Sequence, residues 1–100
     1  MYIVKNEEDF DQILKDNEAV FVDFYADWCG PCKMVGPIVE ELSTERTDIK
    51  FVKVNVDDIP EVAERFGIMS IPTMIFFRNG EVAAQTLGFQ PKEQIAKLLG

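Results

Sequence analysis

The sequence predicts an α/β fold in which a central mixed five-stranded sheet carries helices on both faces. Strand and helix patterns alternate through the first part of the chain. Residues 19–25 are almost continuously apolar, as in a parallel strand that is covered on both sides. Asn79-Gly80 is the residue pair of a tight hairpin. The early strands are therefore expected to be parallel, with right-handed crossovers, and the last strand antiparallel at an edge.

The first strand and helix come before the apolar run. Residues 2–5 are predicted as a short strand, and Asn6 is predicted as the N-cap of a helix that runs to about Lys15. A polar break separates this helix from the run at 19–25, which is the predicted central strand.

The second helix follows the two cysteines of the chain. Pro31 suits its first turn, and the pattern continues to about Arg46, with a kink expected at Pro37. Gly36 lowers its helix propensity. The apolar residues at helical spacing, all expected in the core, are Met34, Val35, Ile38, Val39 and Leu42.

A third strand and a short third helix are predicted next. Residues 49–56 alternate as a strand, with Lys53 pointing away from its neighbours. Asp57 or Asp58 can cap the helix, and the helix is expected to stop at Gly67 in the left-handed conformation.

The chain ends in a hairpin and a helix. Strands are predicted at 73–77 and at 81 to about 86, joined by a type I′ turn at Asn79-Gly80. Pro91 opens the last helix, whose apolar stripe consists of Ile95, Leu98 and Leu99.

Length and composition predict one domain over residues 1–100. With 47% hydrophobic residues, 100 residues form a single core. No apolar run approaches the ~18 residues of a membrane span, and the first residues lack the pattern of a signal peptide. We therefore expect a cytoplasmic protein, in a compartment where paired cysteines are more often catalytic than structural.

Charge and histidine content exclude several functions. The net charge of -8 disfavours nucleic acid or an anionic membrane as a partner, since both attract a basic surface. The chain has no histidine, which excludes Ser/His/Asp and Cys/His catalysis and the two-histidine zinc helix. Proton transfer must therefore use a carboxylate, a thiol, a lysine or water.

Cys29 and Cys32 are the only cysteines, and two residues separate them. Such a pair can close and reopen a disulfide. A zinc site would need about four ligands and so would require a second chain. A purely structural bridge over so short a loop would remove only ~2 kcal/mol of chain entropy. Catalytic redox chemistry is the preferred interpretation, and no metal or bound cofactor is expected.

The sequence Trp28-Cys29-Gly30-Pro31-Cys32-Lys33 resembles the active site of the thioredoxin family. The resemblance extends to Val22-Asp23-Phe24, Lys53 to Asp57, Ile71-Pro72-Thr73, the hairpin and Gly88. Departures are Tyr25, where the family often has Trp, Gly36, and a start almost at the first strand. The resemblance implies the thioredoxin fold and reduction of protein disulfides, with Gly30 and Pro31 setting a reducing potential.

The roles of the two cysteines follow from their positions in the motif. Cys29 is expected at the start of the helix, where free N–H groups and the helix dipole favour the attacking thiolate. Cys32, one turn into the helix and buried, is expected to resolve the mixed disulfide.

Asp23 is the candidate proton acceptor for Cys32. Burial within an apolar strand raises the pKa of a carboxyl group and suits it to proton exchange near neutral pH. Alternatively, hydrogen bonds satisfy Asp23, or it pairs with Lys53. The resemblance places the ammonium of Lys53 near Asp23; the alternative is a lysine that extends to solvent.

The resemblance also implies a substrate groove beside Cys29. It makes Ile71-Pro72 a cis peptide bond facing the dithiol, which leaves the Ile71 backbone free to pair with an extended substrate segment. Trp28 and Gly88 would flank this groove; the alternative for Trp28 is packing in the core.

The predicted function is that of a monomeric protein-disulfide reductase. The resemblance implies a separate NADPH-dependent flavoprotein, thioredoxin reductase, as the partner that restores the dithiol, and disulfide-containing proteins as clients. One alternative is a disulfide oxidant or isomerase, although relatives with those roles usually carry His between the cysteines. The other is a binding or scaffold subunit of a larger assembly.

Overall fold

The computed structural model describes residues 1–100 and contains five strands and four helices. In chain order they are β1 (Tyr2–Ile3), α1 (Glu7–Asp16), β2 (Ala19–Tyr25), α2 (Gly30–Glu45), β3 (Lys50–Asn55), α3 (Pro60–Arg65), β4 (Thr73–Arg78), β5 (Glu81–Leu87) and α4 (Lys92–Leu98). The predicted order of elements is confirmed. Even α2, the longest helix, lacks the length and apolar composition that a membrane-spanning segment needs.

The strands form one sheet in the order β1-β3-β2-β4-β5. β1 and β2 both pair with β3 in parallel, whereas β4 is antiparallel to β2, and β5 is antiparallel to β4. The mixed five-stranded sheet is confirmed, but β4 also reverses direction, which the sequence analysis did not predict.

The reversal of β4 places its start beside the end of β2. Between Asn55 and Thr73 the chain forms α3 and then re-enters the sheet at the end where β3 leaves it. Thr73, the first residue of β4, stands opposite Phe24 near the end of β2. The residues just before β4 therefore lie at the edge of the sheet that is followed by the two cysteines.

Two apolar cores lie on opposite faces of the sheet. α1 and α3 pack on one face and α2 and α4 on the other. Strand β2 contributes to both, because Val20, Val22 and Phe24 belong to the first core and Ala19 and Phe21 to the second. By the same alternation, Asp23 and Tyr25 point to the face that α2 covers.

The helix α2 follows the predicted pattern with one exception. Val35, Val39 and Leu42 are buried, and Pro37 lies inside the helix. Met34 is 60% exposed, so its prediction as a core residue was wrong. It lies about 100° around the helix from Val35, which faces the sheet.

Local signals at turns and caps are largely confirmed. The side chain of Asn6 accepts a hydrogen bond of 2.8 Å from the N–H of Asp9. Gly67 (φ 65°), Asn79 (φ 52°) and Gly80 (φ 81°) adopt the left-handed conformations expected of the helix stop and the type I′ turn.

The predicted cap of α3 was wrong. Its N-cap is Ile59, without a side-chain hydrogen bond. The turn is held instead by the side chain of Asn55, whose oxygen accepts hydrogen bonds from the N–H groups of Asp57 at 2.9 Å and Asp58 at 3.3 Å. The two aspartates are therefore free to serve other contacts.

Replacing Gly36 by Ala is expected to stabilise the protein. Gly36 is inside α2, and a Cβ atom there would have no neighbour within 4 Å. Urea denaturation should show a free energy of unfolding higher by about 1 kcal/mol, the helix propensity difference. The matched variant Gly67→Ala, at a positive φ, should lose about 1 kcal/mol. A Gly36→Ala variant less stable than the wild type would contradict this account.

Candidate active site

The two cysteines lie at the turn between the central strand and α2. Cys29 is the N-cap of α2, and its Sγ accepts a hydrogen bond of 3.2 Å from the N–H of Cys32. The two residues form a disulfide, with their Cα atoms 5.3 Å apart. Gly30 and Pro31 occupy the first turn between them, where the missing N–H of proline leaves no helical hydrogen bond unmade. The first turn of α2 is thus a small ring that a disulfide closes.

The cysteines differ in their neighbours and not in their exposure. Cys29 is 4% exposed and Cys32 is 5% exposed, so burial does not distinguish the two sulfurs. The Sγ of Cys29 lies 3.7 Å from the carbonyl oxygen of Ile71, at the start of β4. Cys32 instead lines a cleft of about 400 Å³ together with Asp23. Each sulfur therefore faces a different side of the site.

Asp23 is a buried carboxyl group without a hydrogen-bond partner. It is 1% exposed, and its Oδ1 atom accepts no hydrogen bond from any protein group. Burial raises the pKa of Asp23 from its ordinary value of 3.8 to about 6, and the positive charge of Lys53 opposes part of that rise. No protein group therefore satisfies Oδ1, so the alternative of a carboxyl group held by hydrogen bonds within the protein does not apply to that oxygen. A desolvated carboxylate of this kind can exchange a proton near neutral pH.

Lys53 lies next to Asp23 but does not pair with it. The two residues are directly opposite in the β2–β3 register and line the same cleft. The Lys53 ammonium lies 4.2 Å from the centroid of the Tyr25 ring, and no ion pair within 4.0 Å joins it to Asp23. The alternative in which Asp23 forms an ion pair with Lys53 is therefore wrong.

The start of β4 forms the other wall beside Cys29. The Ile71–Pro72 peptide bond is cis, as the resemblance implied. The N–H of Gly88 donates a hydrogen bond of 2.7 Å to the carbonyl oxygen of Pro72, which joins the segment after β5 to this wall. Because β4 begins where β2 ends, residues about 40 positions apart in the chain meet at the dithiol.

Trp28 lies on the surface beside Ile71. Its side chain is 71% exposed, so the alternative of core packing is wrong. Together with Ile71 it lines a small apolar cleft of about 140 Å³. The residues predicted for a groove are thus adjacent to one another and to Cys29.

Two residues at this surface were missed in the sequence analysis. The carboxylate of Asp57 accepts a hydrogen bond of 2.9 Å from the indole N–H of Trp28. Met69 is 96% exposed and lines the small cleft with Trp28. Asp57 could have been found, because it follows β3 at the edge of the sheet where β2 also ends. Met69 gave no signal in the sequence.

The redox group of the site is the disulfide itself. No group of three or more Cys, Asp or Glu side chains is arranged to ligate a metal ion. The cleft beside Cys32 contains the buried carboxyl group of Asp23, and the backbone carbonyl of Ile71 and apolar side chains lie beside Cys29. This arrangement suits exchange between the internal disulfide and a thiol or disulfide of another molecule.

Comparisons with known proteins agree with this chemistry. A thioredoxin from Mycoplasmoides gallisepticum is 48% identical over 96 residues, which cover 96% of each chain. The structure of Plasmodium falciparum thioredoxin superimposes with a TM-score of 0.94 at 40% identity, covering 99% of this chain and 96% of that one.

A further solved structure concerns the thiol resolving mechanism in a yeast mitochondrial 1-Cys peroxiredoxin via glutathione/thioredoxin systems. It matches with a TM-score of 0.92 at 29% identity and covers 99% of this chain and 92% of that one. The family model for thioredoxin matches residues 1–100. With this match and a redox-active cysteine pair, the chain belongs to the thioredoxin family of thiol-disulfide oxidoreductases.

Proposed function

We propose that the chain reduces disulfide bonds in other proteins, with Cys29 as the attacking thiol, Cys32 as the resolving thiol and Asp23 as the proton acceptor. The Cys29 thiolate attacks one sulfur of a client disulfide, forms a mixed disulfide and releases the other sulfur as a thiolate. Cys32 then loses its proton to Asp23 and attacks the Sγ of Cys29. The internal disulfide forms, and the second client sulfur leaves as a thiolate, so that two electrons pass to the client.

The observation that carries this proposal is the hydrogen bond from the Cys32 N–H to the Cys29 Sγ. An N-cap side chain normally supplies an oxygen to these free N–H groups, and here a sulfur takes its place. In the reduced protein the same N–H and the dipole of the 16-residue helix stabilise a negative charge on Cys29. Cys32 contributes its N–H to this arrangement, which suits Cys29 to the nucleophilic role.

Asp23 is suited to accept a proton from Cys32 because it shares the cleft with that residue. With a pKa of about 6, Asp23 is about nine tenths ionised at pH 7 and so is ready to accept. Compared with an aspartate of pKa 3.8, it makes transfer from an ordinary thiol roughly 100-fold less unfavourable. Burial therefore increases the basicity of the group without removing its charge at neutral pH.

The proposed clients and partners follow from the family and from the groove. Ile71 presents its backbone beside Cys29, where an extended client segment can add as a strand, and Trp28, Pro72 and Gly88 lie around it. Thiol-dependent proteins such as the peroxiredoxin of the similar yeast structure are one class of client. A thioredoxin reductase, drawing electrons from NADPH, is proposed to restore the dithiol.

The proposal also covers the compartment and the oligomeric state in which the protein acts. A dithiol reductant needs a reducing compartment, so its place of action is taken as the cytoplasm. Residues 1–100 are taken as one domain, because the two cores and the site lie within a radius of gyration of 12.1 Å, near the ~13 Å typical of a 100-residue domain. This domain is proposed to act as a monomer.

Serine substitutions test the roles of the two cysteines. In an insulin reduction assay with NADPH and a thioredoxin reductase, Cys29→Ser should lose turnover because the nucleophile is gone. Cys32→Ser should also lose turnover but should accumulate a mixed disulfide with the client, visible by mass spectrometry. If Cys29→Ser accumulates that adduct instead, the two roles are reversed.

The same variants separate the proposal from its alternatives. A double Cys→Ser variant that retains full biological activity would favour a scaffold function and contradict the exchange mechanism. A reduction potential near the oxidising end of the range, at about -120 mV and not near -270 mV, would favour an oxidant.

Asp23→Asn should slow the second step of exchange and leave the first largely unchanged. The amide cannot accept the Cys32 proton, so resolution of a preformed mixed disulfide should slow by at least about tenfold at pH 7. Stopped-flow measurement of the two steps checks this, with the exposed Asp58→Asn as the matched control. Equal slowing of formation and resolution would remove the base role of Asp23.

The raised pKa of Asp23 should also appear in stability. Because folding favours the protonated form, its stabilising contribution is complete below pH 3.8 and disappears as the pH rises through about 6. The free energy of unfolding of Asp23→Asn relative to wild type should therefore increase by about 2 kcal/mol between pH 4 and pH 7. Urea denaturation of both proteins across this range measures it, and a difference that stays constant with pH would contradict the raised pKa of Asp23.

A further inference from the structure

Three side chains meet on the α2 face of the sheet at the ends of two neighbouring strands. Asp23 and Tyr25 are two residues apart on β2 and so point to the same face, and Lys53 stands opposite Asp23 on β3. All three line the cleft that Cys32 also lines. The Lys53 ammonium therefore has two groups within its reach, a buried carboxylate and the face of an aromatic ring.

The Lys53 ammonium contacts the Tyr25 ring and not the Asp23 carboxylate. Its Nζ lies 4.2 Å from the ring centroid of Tyr25, well within the ~6 Å range of a cation–π contact. Asp23 keeps one oxygen without a hydrogen-bond partner. Contact with that oxygen would bring the ammonium to a residue that is only 1% exposed, and so would remove water from the charge. Over the half-buried Tyr25 ring, Lys53 keeps more of its hydration.

The other groups around the cleft do not take this role. The titratable or charged groups that line it, besides Asp23, Tyr25 and Lys53, are the amino group of Met1, Asp27, Cys32, Lys33 and Glu40. The Met1 amino group lies 3.7 Å from Glu40, which partly satisfies both charges. Lys33 is exposed on α2. The only positive charge opposite Asp23 across the strand pair is therefore Lys53, and Tyr25 is its aromatic contact.

We propose that Tyr25 is a positioning residue, whose ring holds the ammonium of Lys53 beside the Asp23 carboxyl group and prevents an ion pair between them. An ion pair would stabilise the ionised carboxylate and make it a weaker base. By keeping the charge on its ring, Tyr25 preserves the basicity that Asp23 needs in order to accept the Cys32 proton. This inference rests on the proton-transfer role proposed for Asp23.

Titration of the Asp23 carboxyl carbon by NMR tests the proposal directly. The oxidised protein is used, because its disulfide removes thiol titrations from the pH range. In Tyr25→Leu, Lys53 loses the ring and moves to the carboxylate, so the pKa of Asp23 should fall by about one unit. Tyr25→Phe and Tyr25→Trp retain a ring face and should leave it unchanged. If Tyr25→Leu does not fold, Tyr25→Met replaces it in the same comparison.

A double-mutant cycle shows whether the effect passes through Lys53. In a Lys53→Met background, Tyr25→Leu should no longer move the pKa of Asp23, because no ammonium remains to be released. The same downward shift in both backgrounds would mean that the ring acts by excluding water, and would overturn the proposal. An unchanged or raised pKa in Tyr25→Leu with Lys53 present would overturn it as well.

Kinetics then separate this proposal from the role of Asp23. If both are right, the pH profile of mixed-disulfide resolution in Tyr25→Leu should move to lower pH in parallel with the titration. If the titration moves and the pH profile does not, the positioning role of Tyr25 is supported and the base role of Asp23 is contradicted. The titration involves no turnover, so failure of one proposal does not conceal the other.

Discussion

The burial of β2 between two apolar layers is the constraint on which the rest of the site depends. Its residues alternate between the two cores, and every position from Ala19 to Phe24 is buried. A carboxyl group in such a strand loses most of its hydration, and here no protein group donates a hydrogen bond to one of its oxygens. This costs stability whenever Asp23 is ionised. The free energy that burial costs the ionised Asp23 also raises the proton affinity of its carboxylate. The loss of stability and the raised pKa of Asp23 are therefore two measurements of one interaction.

The reversal of β4 brings distant parts of the chain to this strand. If the chain had crossed over to make β4 parallel, its first residues would lie at the opposite end of the sheet from Cys29. Because β4 is antiparallel to β2, Ile71 and Pro72 lie beside the disulfide. Gly88 also lies at this edge, because β5 is antiparallel to β4 and ends beside the start of β4. The position of these residues beside Cys29 is thus a consequence of strand direction as much as of the residues themselves.

The order of elements and the position of the cysteines could be predicted from local patterns, because they depend on near neighbours. The run at β2, the Asn79-Gly80 turn and the Asn6 cap act over a few residues, and the structure contains each of them. Direction in the sheet and side-chain partners depend on distant contacts. From the sequence, Lys53 could have paired with Asp23 or extended to solvent. The pattern gave no reason to expect the Tyr25 ring as the contact of its ammonium. Trp28 could have been buried, because sequence does not show that β2 ends at the surface there.

The two thiols require different interactions, which are stabilisation of a negative charge at Cys29 and transfer of a proton at Cys32. Under the proposed roles, Cys29 must carry a charge before the client arrives, and fixed N–H groups at a helix start stabilise a charge without moving a proton. Cys32 should remain protonated until the mixed disulfide exists, because an early second thiolate would place like charges in one small ring. A base that accepts a proton only when Cys32 attacks meets that need, whereas a permanent positive charge at Cys32 would not. The unpaired Asp23 carboxylate is such a base, and a firm ion pair with Lys53 would weaken it. Holding the ammonium at the Tyr25 ring therefore separates charge stabilisation at Cys29 from proton transfer at Cys32.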